Sequence, residues 1–320
     1  MLNREKENIS IVVFGNRKDY FFTKICIASI RYFYPEVEIF MVKDLLNGYY
    51  STKRLRRVYN VKLLKFDKKY FGWGASKIHF MMRKDMPHKR YLILDSDIIF
   101  LGRVLEQLVE KKADFVVAPE HLQPPFSQQQ QHIYIDAEKV KKYYPDYEYP
   151  GFFFNTGQMI VTPGIIPEAL LSPCFNISQY PYYKDWDTFK TVDQSILNSI
   201  IPVLMKRGRL TVDKISFMRW SVSYFDEAGE DNINKYLDGN TGLLLHYCGD
   251  VRTFELHKMK GKNLLQFFKN QYLQQLSPFG RRINSLQDSV CSYEPGLNFY
   301  KWRNGKYLKI LKKIKSKNHL

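Results

Sequence analysis

The amino-acid sequence predicts an α/β protein, a doubly wound and mostly parallel sheet followed by a basic, helical C-terminal extension. Short apolar runs of strand length alternate with segments of helical period along most of the chain. The connections between them are short, as expected when each helix crosses over to a neighbouring parallel strand. The last 60 residues differ, because they are rich in Lys and Arg and poor in acidic residues. We therefore place the α/β domain at residues 1–260 and a basic region at residues 261–320.

Seven apolar runs are predicted to form strands. Most are apolar throughout rather than alternating, which is typical of strands buried on both faces of a parallel sheet. The fourth run is interrupted by two aspartates, Asp95 and Asp97. In chain order the runs are residues 9–14, 37–42, 61–66, 91–100, 115–118, 152–161 and 242–246.

Five segments are predicted to form helices. Pro35 and Pro87 end the first and the third of them, because proline does not continue a helix. The segments are residues 20–33, 55–59, 76–86, 104–111 and 192–201. The stretch 122–151, which contains four consecutive glutamines and a Tyr/Pro-rich run, fits either a solvated insertion or a lid that closes over a substrate.

The composition is that of a folded globular protein. A chain of 320 residues with 16% aromatic residues buries a substantial core and does not resemble a disordered chain. No apolar run has the length of a membrane-spanning helix, and the charged N-terminus lacks the apolar core of a secretion signal. The four cysteines are widely spaced, which favours reduced thiols over disulfides or a zinc site. These features predict a cytoplasmic protein.

The net charge of +17 is unevenly distributed, since residues 261–320 carry 12 Lys or Arg and only two Asp or Glu. Such an excess suits nucleic acid, anionic lipid or an anionic substrate. Five apolar residues of the tail share one side of a helical wheel opposite a row of lysines: Tyr307, Leu308, Ile310, Leu311 and Ile314. This pattern is typical of a helix lying on an anionic membrane, and we expect peripheral membrane binding. A helix packed on the core and a disordered basic tail are the alternatives.

Asp95 and Asp97 give the clearest functional signal. They follow the apolar run 91–94, and an unpaired charge at the end of a buried strand is costly. Two hard oxygen ligands one residue apart suit Mg²⁺ or Mn²⁺, shared with a substrate phosphate. An isolated Asp-x-Asp is more often a turn or a helix cap, so it is the buried strand before it that favours a metal site.

The polar sequence Asn155-Thr156-Gly157 interrupts the apolar run 152–161. Glycine permits close approach of a ligand, and the asparagine amide both donates and accepts hydrogen bonds. A strand bulge explains the same pattern equally well.

Polar residues at two later positions are further candidates. Asp193 and Gln194 open the helix 192–201, where Asp193 is also suited to capping the helix. His246 ends the run 242–246, where a structural histidine is more common than a metal ligand. Gly249 and Arg252 follow it in an arrangement that suits a phosphate.

In their order along the chain, these segments resemble glycosyltransferase family 8. Members of that family are retaining sugar transferases with the GT-A fold, among them bacterial lipooligosaccharide galactosyltransferases. The resemblance covers roughly residues 9–260. The segments that carry it are Ser76-Lys77-Ile78, Leu94-Asp95-Ser96-Asp97, Phe154-Asn155-Thr156-Gly157, Asp193-Gln194-Ser195-Ile196-Leu197-Asn198 and His246-Tyr247-Cys248-Gly249.

The resemblance implies a donor site assembled from distant parts of the chain. Asp95, Asp97 and His246 would hold Mn²⁺, or Mg²⁺, against the diphosphate of a nucleotide sugar, with a UDP-sugar as the expected donor. Asp193 and Gln194 would be the catalytic pair beside the anomeric carbon. The other donor contacts it implies are Asp19, Tyr20, Lys77, Ser96, Asn155, Thr156, Gly157, Gly249 and Arg252.

The resemblance also implies a reaction, the transfer of a hexose with retention to a saccharide or glycolipid acceptor of a cell-surface glycan such as lipooligosaccharide. Such an enzyme would work on the cytoplasmic face of the membrane. Arg252-Thr253-Phe254 replaces the family's Lys-Pro-Trp, and only Asp19 and Tyr20 of the first loop fit its usual nucleotide contact. Ser195 stands where close bacterial relatives have Asp, and since no residue is an obvious nucleophile, a front-face reaction is favoured.

Three other functions are compatible with parts of the sequence. An inverting GT-A glycosyltransferase of another family would share the metal site. A nucleotidyltransferase would need a Gly-rich phosphate loop, which is absent after Phe14. A basic nucleic-acid-binding protein would explain the charge but not the Asp pair, and no known nucleic-acid-binding module is visible, so we expect no nucleic-acid partner.

Overall fold

The structure, a computed structural model, describes residues 9–66, 71–72, 74–120, 134–229, 233–247 and 256–292. In this part of the chain the strands are β1 (Ile9–Asn16), β2 (Ile39–Asp44), β3 (Lys62–Leu64), β4 (Arg90–Asp95), β5 (Ile98–Leu101), β6 (Phe115–Pro119), β7 (Phe154–Val161), β8 (Val212–Lys214), β9 (Met218–Trp220) and β10 (Leu243–His246). The α-helices are α1 (Tyr20–Phe33), α2 (Lys53–Tyr59), α3 (Ala75–Met81), α4 (Leu105–Val109), α5 (Ala137–Lys141), α6 (Glu168–Leu171), α7 (Asp193–Lys206), α8 (Ser221–Ala228), α9 (Asn234–Leu237), α10 (Lys262–Gln274) and α11 (Pro278–Ser292).

A seven-stranded sheet with the order β3-β2-β1-β4-β7-β6-β8 forms the centre of the described chain. Every neighbouring pair is parallel except the two pairs that involve β7. Side chains on the two faces of β1 enter two different apolar clusters, one of which includes α1 and the other α3 and α7. The predicted doubly wound, mostly parallel sheet is therefore confirmed.

The reversed strand β7 places its first residues beside the last residues of β4. The two strands are antiparallel, and Leu94 of β4 is opposite Gln158 of β7. Gly157 therefore lies at the edge of the sheet where Asp95 ends β4. Ligands of α/β proteins bind at the carboxyl ends of parallel strands, and β7 adds polar residues from its amino end to the same edge.

The apolar run 91–100 does not form one continuous strand, although Asp95 ends a strand as predicted. It divides into β4, in the large sheet, and β5, in a three-stranded sheet with the order β5-β10-β9. The chain turns at Ser96 and Asp97, because charged residues do not continue into a strand that is buried throughout. This turn carries the chain from one sheet to the other and ends the first strand at Asp95.

The predicted helices are present in the structure, but the ends of several of them differ from the prediction. The bounds of α1 agree with the predicted helix 20–33. By contrast α3 ends at Met81, well before Pro87, and α7 continues through Pro202 to Lys206. The strands β8 and β9 were not predicted, because three residues are too few to establish a period.

The C-terminal helices α10 and α11 lie against α1. Leu264, Leu265, Phe268 and Tyr272 of α10 are buried in the apolar cluster that also contains the buried face of α1. None of the helices in the described ranges has the length and hydropathy needed to cross a bilayer. Residues 293–320 of the basic region 261–320, which include the predicted membrane-binding helix, lie outside the described residues, as do residues 122–133 of the proposed lid 122–151.

Candidate active site

Asp95, Asp97 and His246 converge at the carboxyl edge of the large sheet. Each offers one ligand atom, and these three atoms lie within 4.8 Å of one another. The imidazole Nε2 of His246 is 3.5 Å from Oδ1 of Asp97, and both side chains are buried. The predicted metal ligands, separated by about 150 residues in the sequence, are therefore brought together by the fold.

Strand pairing in the small sheet explains this convergence. Asp97 precedes β5, and β10 runs antiparallel to β5, so that His246 is opposite Ile98. The backbone N–H of Tyr247 donates to the carbonyl of Asp97 at 3.0 Å. Because the last residue of one strand faces the first residue of the other, the imidazole lies beside the carboxylates.

The surroundings of His246 fit a metal ligand. Its ring stacks on Trp220, with 4.9 Å between ring centroids and an interplanar angle of 23°. Its Nδ1 is buried and has no hydrogen-bond partner among the described residues. A Cβ atom on Gly157 would lie 2.6 Å from Cε1 of His246 and 3.2 Å from Oδ2 of Asp95, so that only glycine leaves room there. Two carboxylates and an imidazole suit a divalent cation such as Mn²⁺ or Mg²⁺.

Lys77 of α3 connects Asp95 to Asp193. Its Nζ is 3.0 Å from Oδ1 of Asp95 and 2.9 Å from Oδ2 of Asp193, and it donates to the backbone carbonyl of Thr156 at 3.1 Å. Burial alone would lower the pKa of Lys77, but the two carboxylates outweigh burial and raise it. Burial raises the pKa of Asp95, and the nearby Asp97 and Asp193 add to that rise against the opposing charge of Lys77. The site therefore holds more negative than positive charge.

Asp193 and Gln194 begin α7 directly behind this cluster. The hydroxyl of Thr156 donates to Oδ2 of Asp193 at 2.9 Å. Gly74 packs so closely that a Cβ atom there would lie 2.1 Å from Cγ of Asp193. Val192, just before the helix, has a φ of +47°, a strained value for a β-branched residue. Backbone strain of this kind persists where the surroundings fix the conformation and is found preferentially at functional sites.

Asn155 and Gln194 extend the cluster away from the lysine. The Oδ1 of Asn155 accepts from the backbone N–H of Gly157 at 2.7 Å, and its Nδ2 donates to Oε1 of Gln194 at 3.4 Å. Asn198 of α7 also exchanges hydrogen bonds with the backbone of Phe154 at 2.9 and 3.0 Å. These bonds hold the start of α7 against the start of β7.

The remaining predicted donor contacts have different surroundings. Asp19 lies in the loop after β1 and accepts from Nδ2 of Asn16 at 2.6 Å. Tyr20 is fully buried and packs against Tyr50, with 5.1 Å between ring centroids. Ser96 is buried in the turn between β4 and β5. Contacts of these residues with a donor stay predictions.

Two further predicted residues, Gly249 and Arg252, lie outside the described residues. Their roles in binding the donor diphosphate also stay predictions.

The sequence reasoning missed three residues of the site: Gly74, Glu120 and Trp220. Glu120 directly follows the apolar strand β6, which is the same signal that identified Asp95, and it was overlooked. It is buried, and burial raises its pKa, opposed by hydrogen bonds from Tyr134 and Gln194. Gly74 and Trp220 carry no pattern in the sequence that would have distinguished them from other glycines and tryptophans.

Comparison with known proteins gives a structural match but no sequence match. No protein-family model matches the chain, and no curated protein sequence matches it significantly. The bifunctional glycosyltransferase WbbM, in its apo structure, is 14% identical with a TM-score of 0.51, and the match covers 87% of this chain. This chain spans about half the length of that protein, since 51% of WbbM is covered.

Two further structures show weaker similarity. The galactosyltransferase LgtC, in complex with donor and acceptor sugar analogues, is 14% identical, with a TM-score of 0.48 over 84% of this chain and 96% of LgtC. Glucosyl-3-phosphoglycerate synthase from Mycobacterium tuberculosis, in complex with Mn²⁺, UDP-glucose and phosphoglyceric acid, is 11% identical with a TM-score of 0.40. That match covers 86% of this chain and 82% of the synthase.

The match to WbbM establishes the fold. The similarity to WbbM extends over most of the chain, and the predicted resemblance to glycosyltransferases is confirmed at the level of the fold. The chain combines this fold with a clustered Asp-Asp-His set at the carboxyl edge of its sheet.

Proposed function

We propose that this protein is a metal-dependent glycosyltransferase that moves a hexose from a nucleotide-diphosphate sugar, with UDP as the expected nucleotide, to a saccharide acceptor. The observation that carries the proposal is the convergence of Asp95, Asp97 and His246 within 4.8 Å in a glycosyltransferase fold. A nucleotide sugar has a diphosphate whose charge needs compensation, and this cluster has an excess of carboxylates that needs a cation. One divalent ion satisfies both requirements.

The metal would be Mn²⁺ or Mg²⁺, held by the two aspartates and the histidine. When bound it supplies a positive charge that stabilises the diphosphate as that group leaves the sugar. Lys77 holds Asp95 and Asp193 in place through its two ion pairs. Trp220 fixes the plane of the imidazole by stacking on it.

Asn155, Asp193 and Gln194 would bind and orient the sugar. Departure of the diphosphate leaves positive charge on the sugar ring, and the amide and carboxylate oxygens of these residues are suited to stabilising it. The reaction we propose is a front-face reaction with retention, in which the leaving diphosphate assists the attack of the acceptor. An inverting reaction is the alternative, and the anomeric configuration of the product, read by NMR, separates the two.

The test of the donor site is a screen of nucleotide sugars for nucleotide release, with and without Mn²⁺. We expect one donor to be hydrolysed slowly without acceptor, and the release to stop when EDTA removes the metal. Asp97→Asn should lower turnover at least roughly 100-fold, in the range seen when a group that stabilises the transition state is removed. The matched control is Asp187→Asn, because Asp187 is exposed and is not part of the site.

Equal nucleotide release by the wild type and Asp97→Asn from every donor would contradict the proposal. Binding of Mn²⁺ alone, measured by calorimetry, provides a check that does not depend on choosing the correct donor. We expect Asp97→Asn to lose this binding and Asp187→Asn to keep it.

We further propose that the acceptor is a lipid-anchored saccharide of a cell-surface glycan such as lipooligosaccharide, and that the enzyme works at the cytoplasmic face of an anionic membrane. The helix α11 supports this with an exposed apolar row, Phe279, Leu286 and Val290, spaced seven and four residues apart on one face. The chain continues from it into residues 293–320, which carry eight Lys or Arg and a single acidic residue. An apolar row beside basic residues suits an anionic lipid surface.

Sedimentation with vesicles that contain phosphatidylglycerol tests the membrane proposal. We expect the full chain to sediment, and a chain truncated before Asn298 to remain in solution. Leu286→Glu should weaken sedimentation without unfolding the protein, since Leu286 is 65% exposed. Unchanged sedimentation of the truncated chain would rule out the tail as the membrane contact.

A further inference from the structure

Glu120 is a buried carboxylate with no role in the proposed metal site. It is 6% exposed and directly follows β6, where its backbone N–H donates to the carbonyl of Phe153 at 2.8 Å. Its Oε1 accepts hydrogen bonds from the hydroxyl of Tyr134 and from Nε2 of Gln194, the latter at 3.1 Å. A buried carboxylate needs such donors, and one of the two belongs to the proposed catalytic pair.

The bond from Gln194 to Glu120 determines which way the Gln194 amide points. An ionised carboxylate only accepts hydrogen bonds, so the NH₂ group of Gln194 must face Glu120. The carbonyl oxygen of Gln194 then faces the opposite way, where Nδ2 of Asn155 donates to it at 3.4 Å. Asn155 is fixed in turn, because its own oxygen accepts from the backbone of Gly157. The row Glu120, Gln194, Asn155 therefore has only one consistent set of amide orientations.

We propose that Glu120 is a positioning residue, which holds Gln194 so that its carbonyl oxygen, and not its NH₂ group, is presented to the donor sugar. This rests on the proposed function, since it assumes that Gln194 lies beside the anomeric carbon. A carbonyl oxygen stabilises positive charge that develops on the sugar, whereas an NH₂ group in the same place opposes it. The orientation of the amide thus matters for the transition state more than for binding of the donor.

Glu120→Gln tests the proposal because it keeps the shape and removes the carboxylate. A glutamine both donates and accepts, so Gln194 is no longer held in one orientation. We expect kcat to fall roughly 10- to 100-fold, as for a misplaced positioning group, with the donor KM changed less than about threefold. The matched control is Glu138→Gln, whose carboxylate is 82% exposed, and which should retain the wild-type kcat. An unchanged kcat in Glu120→Gln would overturn the proposal.

A double-mutant cycle separates positioning from a general structural effect. If Glu120 acts through Gln194, then Glu120→Gln has no further effect on kcat in a Gln194→Ala background. An equal loss of kcat in both backgrounds would show that Glu120 acts by another route. The melting temperatures of all variants are measured alongside, so that unfolding is recognised.

NMR of the glutamine side-chain amides, assigned through Gln194→Ala, tests the contact without turnover. We expect the Gln194 amide protons to shift in Glu120→Gln and to stay unchanged in Glu138→Gln. Unshifted Gln194 protons in Glu120→Gln would overturn the positioning role. A wild-type protein that releases nucleotide from no donor would count against the proposed function instead, and the NMR result would still decide the contact.

Discussion

Two buried lysines, Lys77 at the candidate active site and Lys24 under the C-terminal helices, have opposite environments. Lys77 lies between two carboxylates, Asp95 and Asp193, with Asp97 nearby. Lys24 of α1 pairs with one carboxylate, Asp288 of α11, and donates to Oδ1 of Asn284 at 2.8 Å. Both side chains are less than 6% exposed, so that burial affects them alike.

Their pKa values shift in opposite directions. Burial lowers the pKa of Lys24, and its single partner Asp288 does not compensate. Burial also acts to lower the pKa of Lys77, but its carboxylates outweigh it and the pKa rises. The difference between the two lysines is therefore the number of carboxylates around each and not the depth of burial.

This difference distinguishes a charge-balanced pair under the C-terminal helices from the charge surplus at the candidate active site. The pair of Lys24 and Asp288 under α11 is balanced in charge and needs no further ion. At the carboxyl edge of the sheet, Lys77 pairs with Asp95 and Asp193 while Asp97 adds a third carboxylate beside Asp95, and this surplus of negative charge destabilises the site without a further cation. A surplus of this kind in a cluster of carboxylates is a criterion for a candidate cation site.

Among the substitutions considered, Lys77→Met should cause the largest loss of stability. It leaves Asp95 and Asp193 without their cation, and removal of one partner from a buried ion pair costs about 3–5 kcal/mol of stability. Urea unfolding measures this loss, and added Mn²⁺ should restore more stability to the variant than to the wild type. A loss below about 1 kcal/mol would mean that the two carboxylates are not held together by Lys77.

Gly157→Ala should lower the affinity of the site for the metal. The added Cβ would lie 2.6 Å from Cε1 of His246 and 2.7 Å from Oδ1 of Asn155, and displacement of a ligand's support lowers metal affinity by about 10- to 100-fold. Calorimetry with Mn²⁺ measures the affinity. Gly280→Ala in α11 is the control, because a Cβ there meets no atom closer than 3.2 Å. Equal Mn²⁺ affinity in the two variants would show that His246 is not a ligand.

Lys24→Met should be less costly than Lys77→Met. The methionine keeps most of the apolar stem, and Asp288, which is 19% exposed, can regain water. We therefore expect a loss of about 1–2 kcal/mol, between the values for surface and buried pairs, in the same urea experiment. A loss as large as that of Lys77→Met would remove the distinction between the two regions.

The two lysines should make stability change with alkaline pH in opposite directions. The pKa of Lys24 is lowered on folding, so the unfolded chain binds its proton more tightly and stability rises with pH as the pH approaches 10.5. The pKa of Lys77 is raised, so its contribution is present below pH 10.5 and is lost as the pH rises further. Lys24→Met should remove the rise in the free energy of unfolding with pH, and Lys77→Met should remove its fall. Each slope is at most about 1.4 kcal/mol per pH unit. Unfolding curves between pH 8 and about pH 12 on the two variants measure the slopes, and slopes equal to those of the wild type would contradict the assignment.

Glu38→Gln should give the smallest change in stability. The environment of Glu38 is the reverse of that of Lys77, because a single carboxylate lies between two lysines. One carboxylate, Glu38, lies at the surface between Lys62 and Lys89, at 2.6 and 2.7 Å. Burial raises the pKa of Glu38, but hydrogen bonds from Lys62, Lys89 and Ser10 outweigh it and lower the pKa to about 2. Its contribution to stability is present above pH 4.5 and lost as the pH falls towards 2.

Because Glu38 is partly exposed and solvent screens its pairs, we expect Glu38→Gln to change acid stability by less than about 1 kcal/mol. Acid unfolding followed by circular dichroism measures it. A change as large as that of Lys24→Met would show that exposure does not screen these pairs.

The sequence by itself determined the α/β class, most strands of the large sheet and the three candidate metal ligands that the fold then brings together. Long apolar runs determine buried strands, and a carboxylate placed directly after such a run, as Asp95 is, must have a polar partner. The two ends of each element were less well determined, as in α3 and α7, because end positions depend on contacts with other elements.

Only the tertiary structure decided which residues of the site touch one another. The antiparallel pairing of β5 with β10 brings His246 to Asp97, and the reversal of β7 brings Gly157 to Asp95. Lys77 of α3 and Glu120, which follows β6, likewise acquire their partners Asp193 and Gln194 at the start of α7 only through tertiary packing. Pairing direction and register are properties of the whole sheet, because they depend on which strands become neighbours, and no local pattern in the chain records them.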